Sequence, residues 1–381
     1  MSGMKIAKNC NEIARKALLD ISFDDGGNMV VSPVSILMLL AILAEATKGK
    51  AHQEIMNLIA KGLSEKNFPE IVAEMQKTLT THLFSDEKHF VYANALYVKK
   101  SLKDSIVPKF EEKLANYGGK LFASKNCARD INKWVSKNTH GMIEKVIENP
   151  VDPLFFAALM NAVAFEAMWD HSYFEENISE AKFHNADKTE SIVNMMKSDE
   201  KDYVEDDFFR GFVKRYNHCR YSFMALLPKE KGAKAFGEAL HSLDFIKLFK
   251  ERGRCIVHAK MPEFKCDYAI NLEDFCKDSG ISTIFSEKAD FSPFCKENIQ
   301  ISEILHKAHI EVDQDGTRAA ALSYCQWSGM APVDYSKPKF VRLNRPFVYA
   351  IIHEETEIPV FAGTVGHIDS IESLKKEEGD E

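Results

Sequence analysis

The chain lacks the long apolar run of a membrane protein. Its longest apolar stretch, Val34–Ala44, is broken by Ser35 and is well short of the ~20 residues a bilayer crossing needs. It reads as a helix buried on all sides, and no membrane partner is expected. Positive charge is also in deficit: 49 basic residues stand against 57 acidic ones, a net −8. A dedicated nucleic-acid binder needs a basic face, so no nucleic acid is expected. Cysteine is thinly spread over Cys10, Cys127, Cys219, Cys255, Cys266, Cys276, Cys295 and Cys325, with no Cys-x-x-Cys pair. That spacing suits reduced thiols and argues against a disulfide framework or a zinc site.

The amino-terminal segment has no signal-peptide core, because Lys5, Lys8, Arg15 and Lys16 interrupt it. Ile6, Cys10, Ile13, Ala17 and Ile21 recur there at helical spacing. With reduced thiols this gives a cytoplasmic expectation, release by a non-classical route being the alternative. The sequon Asn177-Ile-Ser179 matters only on a secretory route.

Enzyme signatures are missing too. There is no Gly-x-Ser-x-Gly elbow, phosphate-binding glycine loop, dinucleotide fingerprint or His-Glu-x-x-His. His306 and His309 would share a face on a helix, but Ile310 and Val312 make the run a strand and set them on opposite faces. Glu205-Asp206-Asp207 reads as a solvated run. No catalytic residue, metal or cofactor is expected, and the chain is read as a non-enzyme.

What is present is ordinary globular material: 45% apolar and 28% charged over 381 residues. The first half reads as helices at 5–22, 33–46, 51–62, 67–82, 103–117 and 127–148, with a strand at Phe90–Val98. The second half reads as strands at Phe156–Phe165, Tyr221–Leu227, Val257–Phe264, Lys307–Val312, Phe347–Ile352 and Val360–Val365. Without βα alternation, linker or repeat, the expectation is an α+β fold in one domain, 1–369, and a charged, disordered tail at 370–381.

One segment is unusual. Roughly thirty residues run from Asp313 to the strand beginning near Phe347, long for a loop without structure of its own. It opens on small residues, Gly316-Thr-Arg-Ala-Ala-Ala321, and then carries Leu322, Tyr324, Trp327 and Met330.

Ordered motifs accompany it. They are Asn28-Met-Val-Val-Ser-Pro-Val-Ser-Ile36, Asn94-Ala-Leu-Tyr97, Asn132-Lys-Trp-Val-Ser-Lys-Asn-Thr-His-Gly-Met-Ile143 and Asn161-Ala-Val-Ala-Phe-Glu-Ala-Met-Trp169 with Phe174. Ala289-Asp-Phe-Ser292, His306-Lys-Ala308, Gly316-Thr317 and Asn344-Arg-Pro-Phe347 follow. Together they resemble the serpin family of serine-protease inhibitors, from about residue 5 to 367. The resemblance implies three sheets, about nine helices and an exposed reactive-centre loop, in a monomer open to loop-sheet polymerisation. It also implies a suicide mechanism. A serine protease cuts the loop and forms an acyl-enzyme, and the freed half-loop inserts into the main sheet as a new strand. A non-inhibitory serpin with a chaperone, carrier or storage role is the alternative.

The resemblance assigns residues. Gly316, Thr317, Arg318, Ala319, Ala320 and Ala321 form the hinge; Ser32, Ser35, Asn161 and His306 a buried polar cluster, the shutter; Trp169, Gln314 and Glu263 the point where the loop enters the sheet, the breach. Inserted residues alternate in and out. Thr317, Ala319, Ala321 and Ser323 point inward and are all small, as insertion requires, while Arg318 points outward. Gln314 stands where the family usually has glutamate, and Glu263 where its lysine partner would be, so Gln314 facing Glu263 avoids a like-charge pair.

In the family the bond lies about 15 residues beyond the hinge glycine, so the resemblance implies Met330–Ala331 as the reactive bond. A long apolar Met330 suits the apolar primary pocket of chymotrypsin-like proteases, of the cathepsin G, chymase or elastase type. The stretch Ala331–Phe340 is longer than in the shortest relatives, which leaves Trp327, Tyr324, Lys337 and Lys339 as rival positions.

Overall fold

The computed structural model describes residues 2–21, 26–80, 89–124, 127–148, 156–217, 219–317 and 334–371. Arg318, Ala319, Ala320, Ala321, Met330, Ala331 and the tail from 372 lie outside the described residues, as do Tyr324, Trp327 and Cys325.

The described helices are α1 Ser2–Leu18, α2 Pro33–Ala46, α3 Gly49–Ile59, α4 Phe68–Thr80, α5 Pro108–Asn116, α6 Cys127–Asn138, α7 Ala233–His241, α8 Phe245–Lys250 and α9 Glu273–Asp278. The strands are β1 Met29–Val31, β2 Phe90–Val98, β3 Gly119–Phe122, β4 Ala157–Phe165, β5 Ala167–Met168, β6 Ile178–His184, β7 Glu190–Glu205 and β8 Phe209–Arg215. Then come β9 Tyr221–Pro228, β10 Gly253–Pro262, β11 Phe264–Asn271, β12 Ile301–Val312, β13 Gly316–Thr317, β14 Asp334–Arg342, β15 Phe347–His353 and β16 Ile358–Val365.

Local chemistry accounts for the best-defined elements. Ser32 caps α2, its hydroxyl accepting the Ser35 N–H at 3.2 Å, and Pro33 occupies the first helical position where no N–H is needed. Every residue of α2 except Glu45 is buried, so apolar burial on all sides holds it, at about 1.5–3 kcal/mol per Leu or Ile. The periodicity predicts α6 as far as 148, but it stops at Asn138. Thr139 N–H still reaches Val135 O, and His140 and Gly141 then take positive φ. The Asn132 side chain accepts the N–H groups of Val146 and Ile147 and donates to Ile147 O. The segment after the helix is thus folded back and pinned, a tertiary contact that overrides its helical pattern.

Among the described residues the strands join into two hydrogen-bonded sheets, where the family resemblance implies three. The reason is β7, sixteen residues long: one part pairs β6 and β10, and its end, 202–205, pairs β8. One strand thereby joins β6, β7, β10 and β14 to β8, β9, β15, β16 and β1. The thirty-residue loop is also shorter than its composition suggests, since Asp334–Arg342 returns as β14, parallel to β10.

The seven-stranded sheet positions the site. β3, β2, β4 and β12 are neighbours, and β11 covers the other edge of β12. α6 packs on one face through Ile131 and Val135 against Ala93, Ala95, Ala158 and Ala162. No described helix is long and apolar enough to cross a membrane.

Candidate functional site

The edge that β12 turns towards β4 behaves differently along its length. From Ile301 to His309 it pairs directly and in parallel with β4, ending at His309 opposite Ala164. Beyond that point the two strands diverge, and β13 lies between β12 and β5. Thr317 stands opposite both Val312 and Ala167, and Gly316 opposite Met168.

The chain reaches this seat through a turn built on Asp313. Its Oδ1 accepts the N–H groups of Asp315 and Gly316 at 2.8 and 2.9 Å, and its own N–H donates to Gly316 O at 3.0 Å. Gly316 is required by close approach. A Cβ there would stand 2.3 Å from Ala167 O and 2.8 Å from Met168 Cα, both fixed backbone atoms. Thr317 is fully buried, and its Oγ1 lies 2.5 Å from the Tyr216 hydroxyl. This is the inward setting expected for it.

Trp169 organises the surroundings. Its indole N–H donates to Asp313 O and its backbone N–H to Asp315 O, both at 2.9 Å. The ring stacks on Tyr216 with centroids 4.5 Å apart and planes 11° apart. Lys214, 3% exposed, lies 4.3 Å from the Tyr173 ring centroid and donates to Glu200 Oε1 at 3.0 Å. Burial works against its charge, and Glu200, Tyr173 and Asp170 together more than offset this, holding the ammonium above its ordinary range.

Glu263 does not face Gln314. The register sets Phe264 opposite Val312, so Glu263 meets Asp313. Asn194 donates to Glu263 Oε2 at 2.8 Å, while Gln314 gives its carbonyl to Tyr173 N–H. Burial pushes both carboxyls upward; Asp313 adds to the shift at Glu263, and Asp315 and Glu311 add to that at Asp313.

Further down, Ser32, His306 and Asn161 meet on the sheet face away from α6, and among the described residues Ser35 is tied to them only by its backbone N–H to Ser32 Oγ. His306 Nδ1 is 2.8 Å from Asn161 Oδ1, and Nε2 accepts the Ser32 N–H at 3.0 Å. A backbone N–H always donates, so Nε2 carries no proton and Nδ1 does. The imidazole is neutral, and full burial lowers its pKa from 6.5 to about 3. Asn161 donates to Asn94 Oδ1 at 2.8 Å, and Asn94 donates to Tyr117 O at 2.6 Å. The cross-strand registers His306–Asn161 and Asn161–Asn94 put these side chains in one row. Ser35 Oγ, although buried, has no partner among the described residues.

Asn94, Asp313, Lys214 and Tyr216 were not among the expected site residues. Asn94 had a signal, since it opens the Asn94-Ala-Leu-Tyr97 motif. The other three had none, because their partners are fixed only by packing.

Comparison with known proteins gives a consistent picture. A family model described as Serpin (serine protease inhibitor) matches residues 8–368. Alpha-1-antitrypsin 1-2 of Mus musculus is 29% identical over 374 residues, covering 95% of this chain and 88% of that protein. Iripin-5 of Ixodes ricinus is 29% identical over 362 residues, covering 90% and 89%. The native-state structure of tengpin, a thermophilic serpin, superposes with a TM-score of 0.83 at 31% identity, covering 96% of this chain and 94% of that one.

Proposed function

This chain belongs to the serpin family, and from that premise we propose that it inhibits serine proteases of chymotrypsin-like specificity through a cleaved and inserted loop. The reading is carried by the seat of Gly316 and Thr317, already a short strand between β12 and β5 and in line with the β4–β12 seam below.

The protease serine Oγ attacks the Met330 carbonyl carbon and forms an ester. The Met330–Ala331 C–N bond breaks, and the Ala331 nitrogen leaves as an amine with the proton relayed through the protease's base. The half-loop ending at Met330 then extends β13 by parting β4 from β12. About 15 residues at ~3.3 Å each carry the acylated protease ~50 Å, and its catalytic geometry is lost before water can release it. The small inward set Thr317, Ala319, Ala321 and Ser323 supports this reading over a non-inhibitory one.

Incubation with chymotrypsin-like, elastase-like and trypsin-like proteases tests it. An SDS-stable complex with the first, and a released peptide starting at Ala331, is the expected result. Loop cleavage without complex under every condition favours the non-inhibitory alternative, and a peptide starting at Pro338 or Phe340 moves the bond to Lys337 or Lys339. The protein is further proposed to act as a cytoplasmic monomer; glycosylation at Asn177 would contradict that location.

A further inference from the structure

Among the described residues the Thr317 side chain is held by a hydroxyl pair with Tyr216. Thr317 is fully buried, and its Oγ1 meets Tyr216 Oη at 2.5 Å. Tyr216 is itself buried, stacked on Trp169 and packed 5.1 Å from the Phe165 ring. Its backbone forms an isolated bridge with Trp169. The hydroxyl therefore sits on a rigid support beside Thr317, the second residue of the two-residue strand β13. Backbone pairing of β13 involves only Gly316 and Thr317, too little to hold a strand end by itself.

We propose that Tyr216 is a positioning residue that latches Thr317 in the sheet, so that insertion after cleavage extends a strand already begun. The inference rests on the inhibitory reading above. With the latch in place, nucleation of the new strand is complete before the protease cuts, and only propagation past His309 and Ala164 competes with deacylation. Without it, the hinge detaches, nucleation must follow acylation, and more proteases escape by hydrolysing the ester.

The test uses Tyr216→Phe, Thr317→Val and Thr317→Ser in the full chain. Tyr216→Phe and Thr317→Val each remove one hydroxyl with little change of shape, whereas Thr317→Ser keeps the hydroxyl and serves as the rescue. With active chymotrypsin, the number of inhibitor molecules consumed per protease trapped should rise about five-fold in Tyr216→Phe and Thr317→Val, the worth of one buried hydrogen bond. It should stay near the parent value in Thr317→Ser, and the Tyr216→Phe/Thr317→Val double variant should be no worse than either single one. A purely structural role would lower stability without changing this partition.

Hydrogen exchange at the amides of Gly316 and Thr317 in the uncut protein provides a reading that needs no inhibition. Faster exchange in the two hydroxyl-deleted variants supports the latch, and unchanged exchange overturns it. Faster exchange with an unchanged partition overturns its role in trapping. If the parent protein traps no protease, the inhibitory reading fails, and exchange alone still decides whether the latch exists.

Discussion

The two ends of the β4–β12 seam solve the same problem in opposite ways. At the breach the strands are apart, and the gap is filled by two residues of the loop, held by backbone pairing, the Asp313 turn and the Trp169–Tyr216 stack. At the shutter the strands are in direct contact, and a polar row from Ser32 through His306, Asn161 and Asn94 to Tyr117 fixes them together. The breach contacts are compatible with a longer β13. The His306–Asn161 bond joins β12 to β4 across the line along which the proposed insertion would part them. Under the proposed mechanism the breach contacts would be kept during insertion and the shutter contacts broken.

Gly316→Val should divide the two regions most sharply. Its side chain collides with fixed backbone at Ala167 and Met168, and overpacking of this kind costs about 1–3 kcal/mol. Trapping should fall on the order of ten-fold or more, seen on gels as cut loop without complex, and the unfolding midpoint of the uncut protein should fall by no more than that cost allows while the shutter hydrogen bonds stay in place. Retained trapping would show that the seat is dispensable.

His306→Ala acts at the other end. It leaves the Ser32 N–H and Asn161 Oδ1 without their partner and should destabilise the uncut protein by ~1–3 kcal/mol in urea unfolding. Trp169 emission, which reports the breach, should stay as in the parent.

Acid should also separate the regions. His306 has a folded pKa of about 3 against an ordinary 6.5, so its contribution is complete above 6.5 and is lost as pH falls below that value. The slope should approach ~1.4 kcal/mol per pH unit and vanish in His306→Ala. Glu263 and Asp313 are raised, so their sign is reversed: what they contribute is present below the ordinary carboxylate range and is lost as pH rises through their raised values. Unfolding measured from pH 4 to 7 in Glu263→Gln should show this opposite trend reduced to the part that Asp313 contributes.

The smallest effect belongs to the segment after α6. Lys307 pairs with Glu148 at 3.1 Å, but the Glu148 side chain is 65% exposed. Lys307→Ala should change stability by less than ~0.5 kcal/mol, and a larger change would mean that this pair, and not the Asn132 bonds, fastens the segment over β12.

Much of this was legible in the sequence where structure is local. The expected bounds of α2 and β2 coincide with those observed, because Ser32-Pro33 begins the helix and the apolar run of β2 is bounded on both sides. Gly316, Thr317, Ser32, Asn161 and His306 were found through motifs. By contrast, β6, β7 and β8 were missed. Their faces are partly exposed and their alternation is irregular, with a register shift between Arg254 and Val257 of the partner strand β10. The pairing of Glu263 with Gln314 was misjudged because a one-residue change of register is invisible in either strand alone.

By itself, the sequence determined the α+β character, the buried α2 helix, the small size of Thr317, Ala319, Ala321 and Ser323 after Gly316, and the residue types of the polar row. Each depends on side-chain chemistry and on periodicity within a few turns or strand residues. Only the tertiary structure decided that Tyr216 meets Thr317, that Asp313 rather than Gln314 stands before Glu263, and that Asn94 completes the polar row. Those pairs lie 101, 50 and 67 residues apart in the chain for Tyr216–Thr317, Glu263–Asp313 and Asn94–Asn161. Their meeting is fixed by strand register and core packing, which no local pattern encodes.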